Sequence, residues 1–143
     1  MKSSLQPGAT RVNRIAIGRE RTIGFMGEDA RTYGTPSMIL DIEHTCRELI
    51  IEHAEPGEDS VGMEVAVKHL APTLMGMTVE IAVKVTAVEG RKVFFSATVK
   101  DELDEVGVGT HVRFVVDKAK TFERLKAKAA RFAARAQAAQ QPG

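Results

Sequence analysis

Three residues in the first half of the chain have the types and spacing for acyl-transfer or acid–base chemistry: Thr35, Glu43 and His69. His69 lies in "VAVKHLAPT" (65–73), which alternates as a half-buried strand does. Val65, Val67 and His69 share one face, so an imidazole continues an apolar row. Such a histidine is either a hydrogen-bonded core side chain or a base held beside a cleft, and a base needs a partner that orients it. Glu43 has Ile39, Ile42, Cys46 and Ile50 at helical spacing around it. It is either solvated just off that stripe or a functional carboxylate paired to a histidine, because an unpaired buried carboxylate is costly. Thr35 stands eight residues before Glu43, where a helix begins. Its hydroxyl can cap the helix, act as a nucleophile, or hold a water or carbonyl beside the helix-start amides.

A second constellation is "GVGTHVRF" (107–114). It is no dinucleotide fingerprint, since the glycine spacing is wrong and the stretch reads as strand. Gly107, Gly109, His111 and Arg113 share one face, opposite Val108 and Phe114. That pattern suits close backbone approach, an interface, or a polar face of purely structural use. Metal-ligand spacing is weak: there is no HExxH or CxxC, and His44 and His53 are nine apart. His44 and Glu48 read more simply as an i,i+4 surface pair.

The elements that must position these residues follow from periodicity. Residues 11–25 read as strand material broken at Gly18, and 26–34 as a loop. Ile39, Ile42, Cys46, Leu49 and Ile50 mark an amphipathic helix, with Thr35 or Ser37 as cap and Pro36 in its first turn. Four strands follow at roughly 61–70, 77–88, 92–101 and 105–116. Val79, Ile81, Val83 and Val85 form one apolar face, and residues 106, 108, 112, 114 and 116 another. Residues 118 to about 138 form a last helix with Phe122, Leu125, Ala129, Phe132 and Ala136 as its stripe. One long helix followed by consecutive strands predicts an α+β fold, a sheet wrapped around a central helix. Residues 1–10 are expected to be a mobile N-terminus, 11–117 the domain, and 118–143 a basic helix and tail. An exposed sheet edge or residual apolar face favours a dimer.

Composition sets limits. Apolar residues are 43% and charged residues 27%, an ordinary globular balance, and the 143 residues suffice for one core. The net charge of +1 argues against nucleic acid as a partner. The charge is uneven: residues 118–143 hold seven Lys or Arg against one Glu. The single cysteine, Cys46, permits no intrachain disulfide. "MKSSLQPGAT" has no apolar signal region, and no stretch approaches the ~20 apolar residues of a membrane span. A cytoplasmic protein without a membrane partner is expected.

In sequence order, "TPSMILDIE", "PGEDSVGMEVAVKHLAPTLMG", "VEGRKVFF" and "DEVGVGTHVRF" together resemble the hot-dog-fold acyl-CoA thioesterases, most nearly the fluoroacetyl-CoA thioesterase-like group. The resemblance runs from about residue 33 to 116. It implies a curved antiparallel sheet around one long helix, a homodimer, and active sites at the subunit interface. It implies catalytic roles for Thr35, Glu43 and His69, and substrate-binding roles for Gly62, Tyr33, His111 and Arg113. Gly109, Thr110, His111 and Arg113 match the family's GTHxR motif. Coenzyme A enters as part of the substrate, with no further cofactor and no metal. The chain departs from the family at "HLAPTLMG", at Val112, and in "MGEDARTYG", where Tyr33 is the only aromatic. The chemistry implied is thioester hydrolysis, with attack by Thr35, Glu43 or water left open. The alternatives are a hot-dog acyl-thioester hydratase or dehydratase and a non-catalytic acyl-CoA binding protein.

Overall fold

The computed structural model describes residues 1–140. The strands are β1 (Thr10–Ala16), β2 (Thr22–Ile23), β3 (Thr32–Tyr33), β4 (Glu58–His69), β5 (Thr78–Glu89), β6 (Lys92–Lys100) and β7 (Glu105–Asp117). The helices are α1 (Thr35–Glu52), between β3 and β4, and α2 (Lys118–Gln140), after β7. Five strands form one antiparallel sheet in the order β1-β5-β6-β7-β4, and β2 pairs with β3 in a small separate ribbon. The expected α+β, hot-dog arrangement is present: a single long helix lies against one face of the sheet.

α1 starts where Pro36 supplies a preset first turn, and ends at His53 before "AEPG". Its buried stripe is Met38, Ile42, Cys46, Leu49 and Ile50. The stripe turns one residue from expectation, with Met38 in the core and Ile39 half-buried. Val79, Ile81, Val83 and Val85 face the core as their alternation requires. β7 departs from expectation in part: Val106 and Val112 of the expected apolar face are buried, but the rest of that face is not. Its Gly107 lies against Met38 of α1, so the odd-numbered face, with His111, Arg113 and Val115, turns inward. Val108, Phe114 and Val116 are left half-buried outside. The inward choice is tolerable because the two buried polar side chains find partners, described below.

The first ten residues make specific contacts with the domain. The Met1 amine pairs with Glu58, Lys2 N–H donates to His53 O at 2.8 Å, Leu5 is buried, and Gly8 N–H donates to Val85 O at 2.9 Å. The expected His44–Glu48 pair is absent among the described residues: Glu48 accepts from Arg11 and Asn13 instead. α2 has no buried residue, and Phe122, Leu125 and Phe132 are exposed. The last three residues of the expected tail lie outside the described residues.

Two features prepare the site. β4 is an edge strand, hydrogen-bonded to β7 on one side only, and Val61 and Met63 on it are exposed. Its register slips between Gly62 and Glu64, leaving Met63 as the extra residue of a bulge.

Candidate active site

Thr35 is the first residue of α1, but its hydroxyl caps nothing; the N-cap is Gly34, without a side-chain bond. The Thr35 Oγ1 instead lies 2.7 Å from Nδ1 of His69, the last residue of β4. Residues 34 apart are thus joined by packing a helix start against a strand end. The other ring nitrogen, His69 Nε2, is buried and has no hydrogen-bond partner among the described residues. The Tyr33 ring stands edge-on to the imidazole, centroids 6.4 Å apart. A cleft of about 370 Å³ opens here, lined by Ile23, Tyr33, Thr35, His69, Leu70 and Pro72 among others. The Thr35 and Ser37 amides at the helix start have no intrahelical carbonyl to bond, and Pro36 has no N–H. They form a positive end beside the hydroxyl.

Tyr33 shapes this cleft with its ring and spends its hydroxyl elsewhere. The phenol donates to Asp41 Oδ2 at 2.6 Å, in the core, and Asp41 also pairs with Arg21. Burial, then the bond to Asp41, pushes the Tyr33 pKa well above the ordinary phenol value. The odd "LAPT" after His69 is fixed the same way. Leu70 N–H donates to Val106 O, Thr73 O accepts from Tyr33 N–H, and the buried Thr73 hydroxyl donates to Asp101 at 2.9 Å. The cleft wall is therefore pinned, with exposed Leu70 at its mouth.

Glu43 does not join this pair within one chain. It lies eight residues along α1 from Thr35, about 12 Å of helix. There its carboxylate fills the side-chain space that Gly62 leaves open: a Cβ at Gly62 would stand 2.8 Å from Glu43 Oε1. The same point is 3.4 Å from His111 Cε1 and 3.7 Å from Arg113 Nη1. Glu43, Gly62, His111 and Arg113 thus form a second cluster. His111 and Arg113 are 1% and 6% exposed, and their bonds stay inside the chain. Ser60, which holds Arg113, was not legible from the sequence; only the register of β4 on β7 puts it diagonal to Arg113.

Other chemistry has less to work with. Burial pushes the Cys46 thiol up to about 12, so it is no thiolate nucleophile at neutral pH. No group of three or more His, Cys, Asp or Glu among the described residues is placed to hold a metal. A cleft of about 330 Å³ at the root of α2, by Arg91 and Arg124, contains no histidine and no cysteine.

Comparison with known proteins bears on the fold and the activity that go with this cleft. The sequence profile of the fluoroacetyl-CoA-specific thioesterases matches residues 17–119. The chain belongs to that family. It is 28% identical to the fluoroacetyl-CoA thioesterase of Streptantibioticus cattleyicolor over 123 residues, 81% of this chain and 88% of the relative. A thioesterase-superfamily protein of Thermus thermophilus superposes with a TM-score of 0.84 at 28% identity, covering 91% of this chain and 97% of that one. A mutant of the fluoroacetyl-CoA-specific thioesterase superposes with a TM-score of 0.81 at 27% identity, covering 89% and 99%. This thioesterase is therefore a thioester hydrolase of hot-dog fold acting on acyl-CoA. None of its described helices is long and apolar enough to cross a membrane.

Proposed function

We propose that two copies of this chain pair through their β4 edges and hydrolyse an acyl-CoA thioester with Thr35 and His69 of one subunit and Glu43 of the other. The observation that carries the reading is the 2.7 Å contact of Thr35 with His69 Nδ1, together with the buried, unpartnered Nε2. Thr35 and Nδ1 form a donor–acceptor couple when the hydroxyl donates, which leaves the ring proton on Nε2. A buried N–H needs an acceptor. Glu43 is too far along its own helix to serve, yet it sits beside Gly62, on the same strand as His69.

Antiparallel pairing of two β4 edges about an axis near Val65 and Ala66 sets the Gly62 end of one strand beside the His69 end of the other. Glu43 of the partner subunit then comes to the His69 end of β4 and reaches Nε2 once the side chains that cover this nitrogen in the single chain shift. The same pairing covers exposed Val61 and Met63 and removes an open edge.

The chemistry follows. A thioester carbonyl enters the cleft with its oxygen toward the Thr35 and Ser37 amides. His69 Nδ1 takes the Thr35 proton as Oγ1 attacks the carbonyl carbon. The tetrahedral intermediate collapses, the C–S bond breaks, and the CoA thiolate takes the proton from the imidazolium. Water, activated by the same nitrogen, cleaves the acyl-threonine and restores the hydroxyl. A general base contributes typically ~10²- to 10⁴-fold. Substrate class follows the relatives: crystallised forms of the fluoroacetyl-CoA thioesterase hold fluoroacetate with CoA, and acetyl-CoA. The chain lacks extra aromatics beside Tyr33 in "MGEDARTYG", so a short acyl-CoA without a dedicated fluorine site is the expected substrate.

The test is thiol release from an acyl-CoA panel by wild type, Thr35→Val, His69→Ala and Glu43→Gln, each checked for dimer by sedimentation. Mixing Thr35→Val with Glu43→Gln subunits should restore about a quarter of wild-type activity, because one site of the mixed dimer is intact. No recovery in a demonstrated heterodimer would sink the shared site. Thiol release without an acylated Thr35 peptide under rapid quench would instead select direct attack by water. A hydroxyacyl thioester as product would replace hydrolysis by hydration.

A further inference from the structure

His111 and Arg113 are adjacent buried ionisable side chains that the proposed reaction leaves without a task. Their bonds form a directed chain. At the β4 bulge, Glu64 gives its carbonyl to a side chain: it lies 2.8 Å from His111 Nδ1. A carbonyl only accepts, so Nδ1 carries a proton. Arg113 Nη1 lies 3.2 Å from His111 Nε2, and a guanidinium only donates, so Nε2 carries a lone pair. Both bonds are satisfied by one species, the neutral imidazole with its proton on Nδ1. Phe95 stacks on that ring and fixes its plane. Arg113 is held further by Nε to Ser60 Oγ at 2.7 Å and Nη2 to Ser60 O at 2.8 Å.

All three anchors of the guanidinium are neutral, and no salt bridge uses its charge among the described residues. Burial works against that charge and lowers the Arg113 pKa; Glu43, ahead of Asp59, is the carboxylate that favours it. Arg113 Nη1 and Glu43 Oε1 converge on the same point above Gly62, where no Cβ intervenes. A buried cation aimed by neutral partners at an otherwise unbonded carboxylate holds that carboxylate in place without consuming it.

We propose that Arg113, aimed by His111 and Ser60, is a positioning residue that holds Glu43 against the Gly62 peptide in its working geometry. The inference rests on the reading that Glu43 acts with His69. A role exerted through Glu43 thus adds to the substrate-binding roles expected for His111 and Arg113.

The test is a double-mutant cycle on the intact dimer with Arg113→Met and Glu43→Gln, read as kcat and KM for one acyl-CoA. Arg113→Met should lower kcat about 10- to 100-fold, with KM little changed. In the Glu43→Gln background the same change should cost almost nothing more, and Arg113→Lys should recover most of the loss. Losses that multiply, or no rescue by lysine, would overturn the proposal. If Arg113→Met does not fold, the cycle is run with Ser60→Ala, which keeps the charge and removes one aiming bond. A smaller kcat loss that vanishes beside Glu43→Gln supports the proposal, and a multiplying loss overturns it. Full turnover by Glu43→Gln alone would fell the parent reading, which separates that failure from this one.

Discussion

Gly62→Ala separates the site from the fold with a single methyl group. Gly62 is not among the glycines with positive φ, so alanine adopts its backbone freely. Gly-to-Ala at such a position stabilises by about 0.4–1 kcal/mol through the unfolded chain. The new Cβ would stand 2.8 Å from Glu43 Oε1, well inside van der Waals contact, but 3.4 Å from His111 and 3.7 Å from Arg113. The carboxylate must therefore move, and it can, because it ends a flexible, half-buried side chain. The two effects oppose each other, so stability should stay within about 1 kcal/mol and Tm within about 5 °C. Catalysis should not stay. A misplacement near 1 Å costs on the order of 10²-fold, so kcat should fall about 10- to 100-fold. The assay is thiol release at saturating acyl-CoA, with a thermal melt on the same preparation. A folded Gly62→Ala protein with wild-type kcat would refute the claim that the Glu43 position matters. A raised KM at unchanged kcat would assign Gly62 to the acyl pocket and release Glu43 from the reaction.

The remaining predictions probe the scaffold. Tyr33→Phe removes the bond to buried Asp41 and should cost about 1–3 kcal/mol in denaturant unfolding, with KM unchanged because the ring still lines the cleft; a large KM increase would show the hydroxyl meeting substrate. Gly109→Ala would place a Cβ 2.6 Å from Ala66 O, a backbone atom that cannot yield, so destabilisation of about 1–3 kcal/mol is expected, read as Tm; a neutral substitution would contradict the β4–β7 register. Burial, foremost, lowers the His111 pKa, so the unfolded chain binds this proton more readily than the folded one. Stability from His111 is thus complete above its unfolded value near 6.5 and is lost as pH falls below it, by at most about 1.4 kcal/mol per pH unit; a folded His111→Gln variant should show a flatter unfolding profile between pH 6.5 and 5, and an identical slope would exclude the assignment.

The parts legible in the sequence were those written in local periodicity. α1 is announced by its apolar spacing and by Pro36, and β5 by strict alternation from Val79 to Val85. β7 was misread because its inward face carries two glycines, a histidine and an arginine, and hydrophobic pattern alone turns such a face outward. What reverses it is tertiary: Gly107 makes room for Met38, and Ser60 and the Glu64 carbonyl satisfy Arg113 and His111. The contacts of the first ten residues were illegible for the same reason, since the backbone groups they bond, His53 O and Val85 O, belong to segments far along the chain. Thr35 and His69 were singled out by residue type, but their contact depends on a helix start meeting a strand end 34 residues later, which no local pattern encodes.

That separation also explains why a histidine continues the valine row of β4. Val65, Val67 and His69 occupy alternate positions of an edge strand, and the last of them ends the strand where α1 begins. One ring nitrogen meets the exposed Thr35 hydroxyl; the other is buried without a hydrogen-bond partner among the described residues. The carboxylate that could complete it stands on the same helix, beside the same strand, at the strand's other half. A strand carrying complementary halves of a site along its length becomes a whole site when it pairs antiparallel with itself, because the two-fold exchanges the halves. On this reading the open edge of β4 and the incomplete histidine are one feature, and a charge introduced at Met63 should abolish dimer and turnover together while leaving the Thr35–His69 contact in each separated chain.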